Sequence, residues 1–156
     1  MIVTVPESDR APSAIESVSF IDYEYATPSP PAFDLANHFS EWGGFECDYA
    51  ALPTRSIRRA FLRQYISTYA AAADLDPNID YVSRLCDEVD QYRGIPGLYW
   101  GIWGLIQATI SQIDFDYATY AQTRLQEYWD WRAEDEGTRA KEGREKPLRE
   151  RRWAEE

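Results

Sequence analysis

The chain has 156 residues, a length that suits one domain or part of one, and its 16 basic and 27 acidic residues leave a formal charge of −11. That excess argues against nucleic acid or an anionic membrane as a partner, because both need a basic face, and it suits a cationic one. Six Trp, 11 Tyr and 6 Phe are too many for a disordered chain.

Charge and cysteine usage narrow the reading further. Residues 1–131 hold 8 Arg, no Lys and 19 acids, whereas residues 132–156 hold 8 basic and 8 acidic residues. The expected organisation is therefore an acidic folded part over 1–131 and a mixed-charge tail over 132–156, a solvated helix or disordered. Cys47 and Cys86 are too few for a disulfide framework, so reduced thiols and a cytoplasmic location are expected. His38 is the single histidine, which nearly excludes zinc sites built on several His or Cys, and leaves a Ser-His-Asp triad only with His38 as its base. Met1 to Pro6 lacks the basic start and apolar run of a signal peptide.

In chain order, Ile2-Val3-Thr4-Val5 reads as a short strand, Pro6 to Ser17 as a polar loop, and Val18 to Tyr23 as a second strand, together a hairpin. Pro28, Pro30 and Pro31 interrupt regular structure, and a short helix covers Ala32 to Trp42 until Gly43-Gly44 ends it. Pro53-Thr54 opens a helix, with Thr54 as its N-cap. Its apolar face is Ile57, Phe61, Leu62, Tyr65, Ile66 and Tyr69; Arg55, Arg58, Arg59 and Arg63 form a solvated face. After a break over Asp74 to Asn78, helices are expected from Ile79 to Tyr92, from Pro96 to Ile113 and from Tyr117 to Trp131. Gly94 to Ile113 carries no formal charge, but Pro96, Gln107, Thr109, Ser111 and Gln112 favour a buried helix over a membrane span. The fold class is mainly α with a small β-hairpin. Two strands alone are marginal in water, so the hairpin looks like the edge of something larger.

Three segments can carry chemistry. Asp22 ends an apolar strand before an irregular loop, and strand alternation puts Glu24 on its side. Such carboxylates suit Mg²⁺, which takes one or two of them plus substrate phosphates; spacing alone favours turn capping. Trp100 and Trp103 share a helix face, with Tyr99 beside them and Gln107 extending it. With a carboxylate such as Glu41 they make an ammonium pocket, and packing into a core is the plainer role. Gly97, Gly101 and Gly104 on that helix allow close packing. His38 on its helix is more often a structural hydrogen-bonding residue, and Asp114 and Asp116 default to helix capping. No GxxxxGK[ST], GxGxxG or HRD motif is present, and residues 1–140 hold no lysine to grip a phosphate.

Taken together, the segments resemble choline/ethanolamine kinases. The resemblance rests on Phe20-Ile21-Asp22-Tyr23-Glu24-Tyr25-Ala26, on Ala32-Phe33-Asp34-Leu35-Ala36-Asn37-His38-Phe39-Ser40-Glu41-Trp42, on Trp100-Gly101-Ile102-Trp103-Gly104-Leu105-Ile106-Gln107-Ala108, and on Ile113-Asp114-Phe115-Asp116-Tyr117-Ala118-Thr119-Tyr120-Ala121, with Pro53-Thr54-Arg55 between them. It covers residues 2–131, and Glu41-Trp42-Gly43-Gly44-Phe45 is similar to the ethanolamine branch, fungal forms in particular.

The resemblance implies the C-terminal lobe portion of a protein-kinase-like α+β fold and ATP-dependent phosphorylation of ethanolamine, or of choline, towards phospholipid synthesis. It implies Asp22 as the Mg²⁺-binding acid, and an amine pocket of Tyr25, Glu41, Trp100, Trp103, Phe115 and Tyr120. Glu41 would meet the ammonium and the rings would wall it. The family's N-terminal lobe and its HxDxxxxN catalytic loop are not matched. The expectation is a C-terminal fragment, a truncated product or a partial gene model, inactive as a kinase alone. The alternative is a non-catalytic amine-binding or kinase-docking subunit, with the hairpin edge favouring a homo-oligomer.

Overall fold

The computed structural model describes residues 2–4, 17–19, 21–70 and 79–156. Strands β1 (Ile2–Thr4) and β2 (Ser17–Ser19) pair antiparallel with Val3 opposite Val18. Among the described residues the helices are α1 (Pro31–Ser40), α2 (Arg55–Ala70), α3 (Tyr81–Tyr92), α4 (Ile95–Ile110), α5 (Tyr117–Asp135), α6 (Thr138–Lys141) and α7 (Leu148–Ala154). Loop residues 6–16, Phe20 and the expected break at Asp74–Asn78 lie outside the described residues.

The second strand is shorter than expected. Residues 21–23 are not in a strand, and Asp22 adopts a left-handed backbone with φ of 72°. Strand alternation therefore does not relate Asp22 to Glu24.

Helix boundaries follow local chemistry. Pro31 opens α1, where its missing N–H is not needed. The expected end at Trp42 becomes Ser40, followed by a 3-10 turn over Glu41–Gly43. Asp80 caps α3 by accepting from the Ser83 N–H at 3.0 Å, and Asp116 caps α5 through the Thr119 N–H at 3.0 Å. The capping role expected of Asp116 is its role here. Helix α4 stops at Ile110 rather than Ile113, and Thr54 precedes α2 with its hydroxyl 3.0 Å from that of Ser56.

One core joins Ala32, Leu35, Ala36 and Phe39 of α1 to Leu62 of α2, Leu85 and Val89 of α3, and Trp153 of α7. The tail departs from its expectation: α5 continues to Asp135, and α7 returns to the core with Trp153 only 3% exposed, while residues 140–145 between them stay exposed. The physical reason is that Arg149 and Glu150, also 3% exposed, satisfy one another and their neighbours.

The faces of α2 are also redistributed. Arg58 is buried, donating to the carbonyls of Pro53 and Trp153 at 2.8 Å each, with its guanidinium 4.1 Å from the Trp153 ring centroid. Burial pushes its pKa down to about 10, against the pull of Asp90. Ile57, Phe61, Tyr65 and Tyr69, expected to face the core, are exposed.

Helices α4 and α5 form a tight antiparallel pair. A Cβ on Gly97 would lie 2.6 Å from the Arg124 carbonyl oxygen, and one on Gly101 would lie 2.7 Å from Leu125 Cγ. Glycine alone permits this approach, as the spacing of these residues suggested.

Trp153→Ala is expected to remove about 3–5 kcal/mol of unfolding free energy, as loss of a buried Trp does. Trp129→Ala, at a position 61% exposed, should change it by under about 0.5 kcal/mol. Urea unfolding checks both; equal effects would contradict the seating of α7 in the core.

Candidate functional site: an aromatic cage beside a shared carboxylate

The loop before α1 and the α4–α5 pair bring five aromatic rings together. Tyr25 comes from the loop, Trp100 and Trp103 from α4, Phe115 from the α4–α5 turn and Tyr120 from α5. Tyr25 meets Trp100 edge-on at 5.8 Å between centroids and Trp103 at 6.5 Å. Trp103 meets Tyr120 at 6.2 Å, and Phe115 meets Tyr120 at 5.9 Å. All are T-shaped contacts, the arrangement ring quadrupoles favour.

Hydrogen bonds fix the indoles. Trp103 Nε1–H donates to Tyr25 Oη at 2.9 Å, tying the loop to α4. Trp100 Nε1–H donates to Asn37 Oδ1 at 2.7 Å, tying α1 to α4. Asn37 thus joins the site; the sequence offered it only as part of the segment from Asn37 to Trp42, with no role of its own. Beyond Trp100, a concavity of about 490 Å³ opens between Tyr25, Phe33, Asp34, Asn37, Tyr65 and Tyr99.

Glu41 lies in the 3-10 turn after α1, its side chain 36% exposed. Its Oε1 accepts from Arg124 Nη2 at 2.8 Å. Burial pushes the Glu41 carboxyl up from its ordinary value, while Arg124 pulls it down. Burial likewise raises the Tyr120 phenol to about 12, with the Arg124 guanidinium opposing from 5.8 Å off the ring centroid.

Behind Glu41 stands a buried ion cluster. Arg124, 1% exposed, lies 3.4 Å from Glu127 Oε2 through Nε, an ion pair that falls short of hydrogen-bond geometry. Glu127 also faces Arg149 Nε at 3.6 Å. Arg149 donates to Ser40 Oγ at 3.0 Å and to the Arg93 carbonyl at 2.6 Å, and Glu150 pairs with Arg93 at 3.0 Å. Burial opposes the charge on Arg124, but Glu127 and Glu41 overcome it and hold its pKa above the ordinary value. Arg124 went unnoticed in the sequence. The available signal was that it is the only basic residue between Arg93 and Arg132, one turn beyond Tyr120.

The remaining candidates fall elsewhere. His38 Nε2 accepts from Trp42 Nε1–H at 3.3 Å, and burial pushes its pKa down, so it serves as a neutral hydrogen-bonding residue. Asp22 and Glu24 are exposed and adjacent; the hydrogen bond and repulsion from Asp22 raise the Glu24 carboxyl. Among the described residues no group of three or more His, Cys, Asp and Glu side chains is clustered to hold a metal ion. Two neighbouring carboxylates still fit Mg²⁺ completed by phosphates and water. Also among the described residues, no helix is long and apolar enough to cross a membrane.

The α4–α5 pair and the loop before α1 thus set five aromatic rings in edge contact, with the acids Asp22 and Glu24 in that loop. The family model for choline/ethanolamine kinase matches residues 11–129, and the chain belongs to that family. A Nematostella vectensis protein named "Probable ethanolamine kinase" is 41% identical over 118 residues, covering 73% of this chain and 34% of its own length. An Arabidopsis thaliana protein named "Probable choline kinase 2" is 36% identical over 121 residues, covering 73% of this chain and 33% of its own. The solved structure of a Plasmodium vivax ethanolamine kinase superposes with a TM-score of 0.62 at 33% identity, over 72% of this chain and 29% of that one. The chain thus spans about a third of the length of the curated relatives it matches.

Gly97→Ala is expected to push α5 from α4 and so open the cage, costing about 1–3 kcal/mol of stability as overpacking does. Thermal unfolding together with tryptophan emission checks this; an unchanged midpoint and spectrum would contradict the close approach.

Proposed function

We propose that this chain carries the amine-binding part of an ethanolamine kinase-type activity, the ATP-dependent phosphorylation of ethanolamine to phosphoethanolamine, in the cytoplasm. The observation that carries the reading is the chain of edge-to-face contacts from Tyr25 through Trp100 and Trp103 to Tyr120 and Phe115, with the Glu41 carboxylate joined to Tyr120 through Arg124. Aromatic faces attract a cation most strongly when water is excluded, and a carboxylate adds charge compensation. In this reading the rings wall the ammonium, Glu41 accepts its N–H, and the hydroxyl end is left towards the loop that bears Asp22.

Asp22 is the residue we assign to Mg²⁺, with Glu24 beside it. When bound, the ion would supply charge neutralisation on the transferring phosphoryl group, the largest need of such a reaction. The left-handed backbone at Asp22 supports the assignment, because strained positions in non-glycine residues gather at functional sites.

A non-catalytic reading, in which the chain binds amines or docks onto another kinase, draws support from a second observation. Ile102, Ile106 and Ile110 form an exposed apolar stripe along α4 that suits a protein partner. Choline remains an alternative substrate, since its quaternary ammonium also suits a cage of rings.

Ethanolamine titrated into the chain should change tryptophan emission and give heat by calorimetry. Trp103→Ala should weaken that binding by roughly a few-fold to thirtyfold, as loss of one cation–π face implies. Unweakened binding would put the amine elsewhere.

Mn²⁺ as a probe, followed by electron paramagnetic resonance, should bind weakly near Asp22. Asp22→Asn should reduce that affinity at least about tenfold, since few protein ligands share the ion. Equal affinity in parent and variant would contradict the assignment.

A further inference from the structure

Arg124 lies behind the cage, not in it. It touches two of the residues proposed to bind the amine, holding Glu41 Oε1 at 2.8 Å and lying 5.8 Å from the Tyr120 centroid. Its Nε faces Glu127 on the same helix at 3.4 Å, and Glu127 in turn faces Arg149 of α7 at 3.6 Å. At 1% exposure it is shut off from solvent. Among the described residues no protein donor meets Glu41 Oε2.

We propose that Arg124 is a positioning and specificity residue: by occupying one oxygen of Glu41 it fixes the carboxylate and reserves the other oxygen for an N–H donor, so the site favours a primary ammonium over a quaternary one. The inference rests on the amine-binding reading of the cage. A primary ammonium carries three N–H donors and gains a directional, charge-assisted bond to a fixed carboxylate oxygen. A quaternary ammonium has none and interacts only through charge and ring faces, which depend far less on how the carboxylate is turned.

The charges around Glu41 sharpen the argument. Arg124 and Glu127 face it from α5 and Arg149 faces it from α7, while Cys47 and Tyr120 are the neutral titratable groups alongside. Burial favours the protonated carboxyl, and Arg124 is the largest influence keeping it ionised. A protonated Glu41 loses its charge and its pairing with an ammonium, so amine binding fades as pH falls through the Glu41 pKa. Without Arg124 that pKa rises, and the pH at which binding fades rises with it.

The test measures affinities of the full 156-residue chain for ethanolamine and for choline between pH 4 and 8, by calorimetry. Arg124→Gln should lower the ethanolamine-to-choline affinity ratio by about tenfold and raise the pH midpoint of ethanolamine binding by about one unit or more. Glu41→Gln should abolish that midpoint. Should Arg124→Gln fail to fold by circular dichroism, Arg124→Lys carries the test: a point charge without the guanidinium fork should keep the midpoint while lowering the ratio. An unchanged ratio there overturns the proposal. If the unsubstituted chain binds neither amine, the amine-binding reading falls and this inference with it. If it binds ethanolamine, and Arg124→Gln weakens both amines equally with an unmoved midpoint, the reading stands and Arg124 is merely structural.

Discussion

The structure depends on a buried ion cluster. Arg124 and Glu127 of α5 meet Arg149 and Glu150 of α7, and Arg93 and Ser40 close it from the ends of α3 and α1. Arg124, Glu127, Arg149 and Glu150 are each at most 3% exposed. Removing any one partner would leave an uncompensated charge in a low-dielectric interior, which costs about 3–5 kcal/mol. The cluster therefore behaves as a unit, and it ties the C-terminal helix to the turn that holds Glu41. Packing around it is apolar on one side, through Trp153 and Phe39, and aromatic on the other, through Tyr120.

This arrangement explains why the site residues come from distant parts of the sequence yet share one geometry. Glycines on α4 let α5 approach, which sets Trp103 against Tyr120. The indole N–H groups then reach Tyr25 and Asn37, which draws the loop and α1 onto α4. Apolar residues remain exposed on α2 at Ile57, Phe61, Tyr65 and Tyr69 and on α4 at Ile102, Ile106 and Ile110.

Much of this could be read in the sequence, for physical reasons that differ by element. Helices α3, α4 and α5 were legible because Asp80, Gly94-Ile95-Pro96 and Asp116 are local start signals that do not depend on tertiary context. The paired rings were legible from the spacing of Trp100 and Trp103. The tail was misjudged because 16 charges in 25 residues read as solvated when counted singly. Arg149 and Glu150 are buried only because Glu127 and Arg93, 22 and more residues away in sequence, complete them. Arg58 was misassigned for the same reason, since its partners Trp153 and Asp90 lie on other helices. The second strand was overextended through Tyr23 because β-branched and aromatic composition cannot foresee the left-handed turn at Asp22.

The account stands most directly on where a small ammonium ion sits. Ethanolamine added to the isotope-labelled chain offers that measurement through intermolecular nuclear Overhauser effects from its methylene protons. The account predicts cross-peaks to the indole protons of Trp103 and the ring protons of Tyr120, with upfield ring-current shifts of the methylenes. Cross-peaks confined to Tyr65, Tyr99 and Phe33 in the neighbouring concavity, or none at saturating amine, would contradict it.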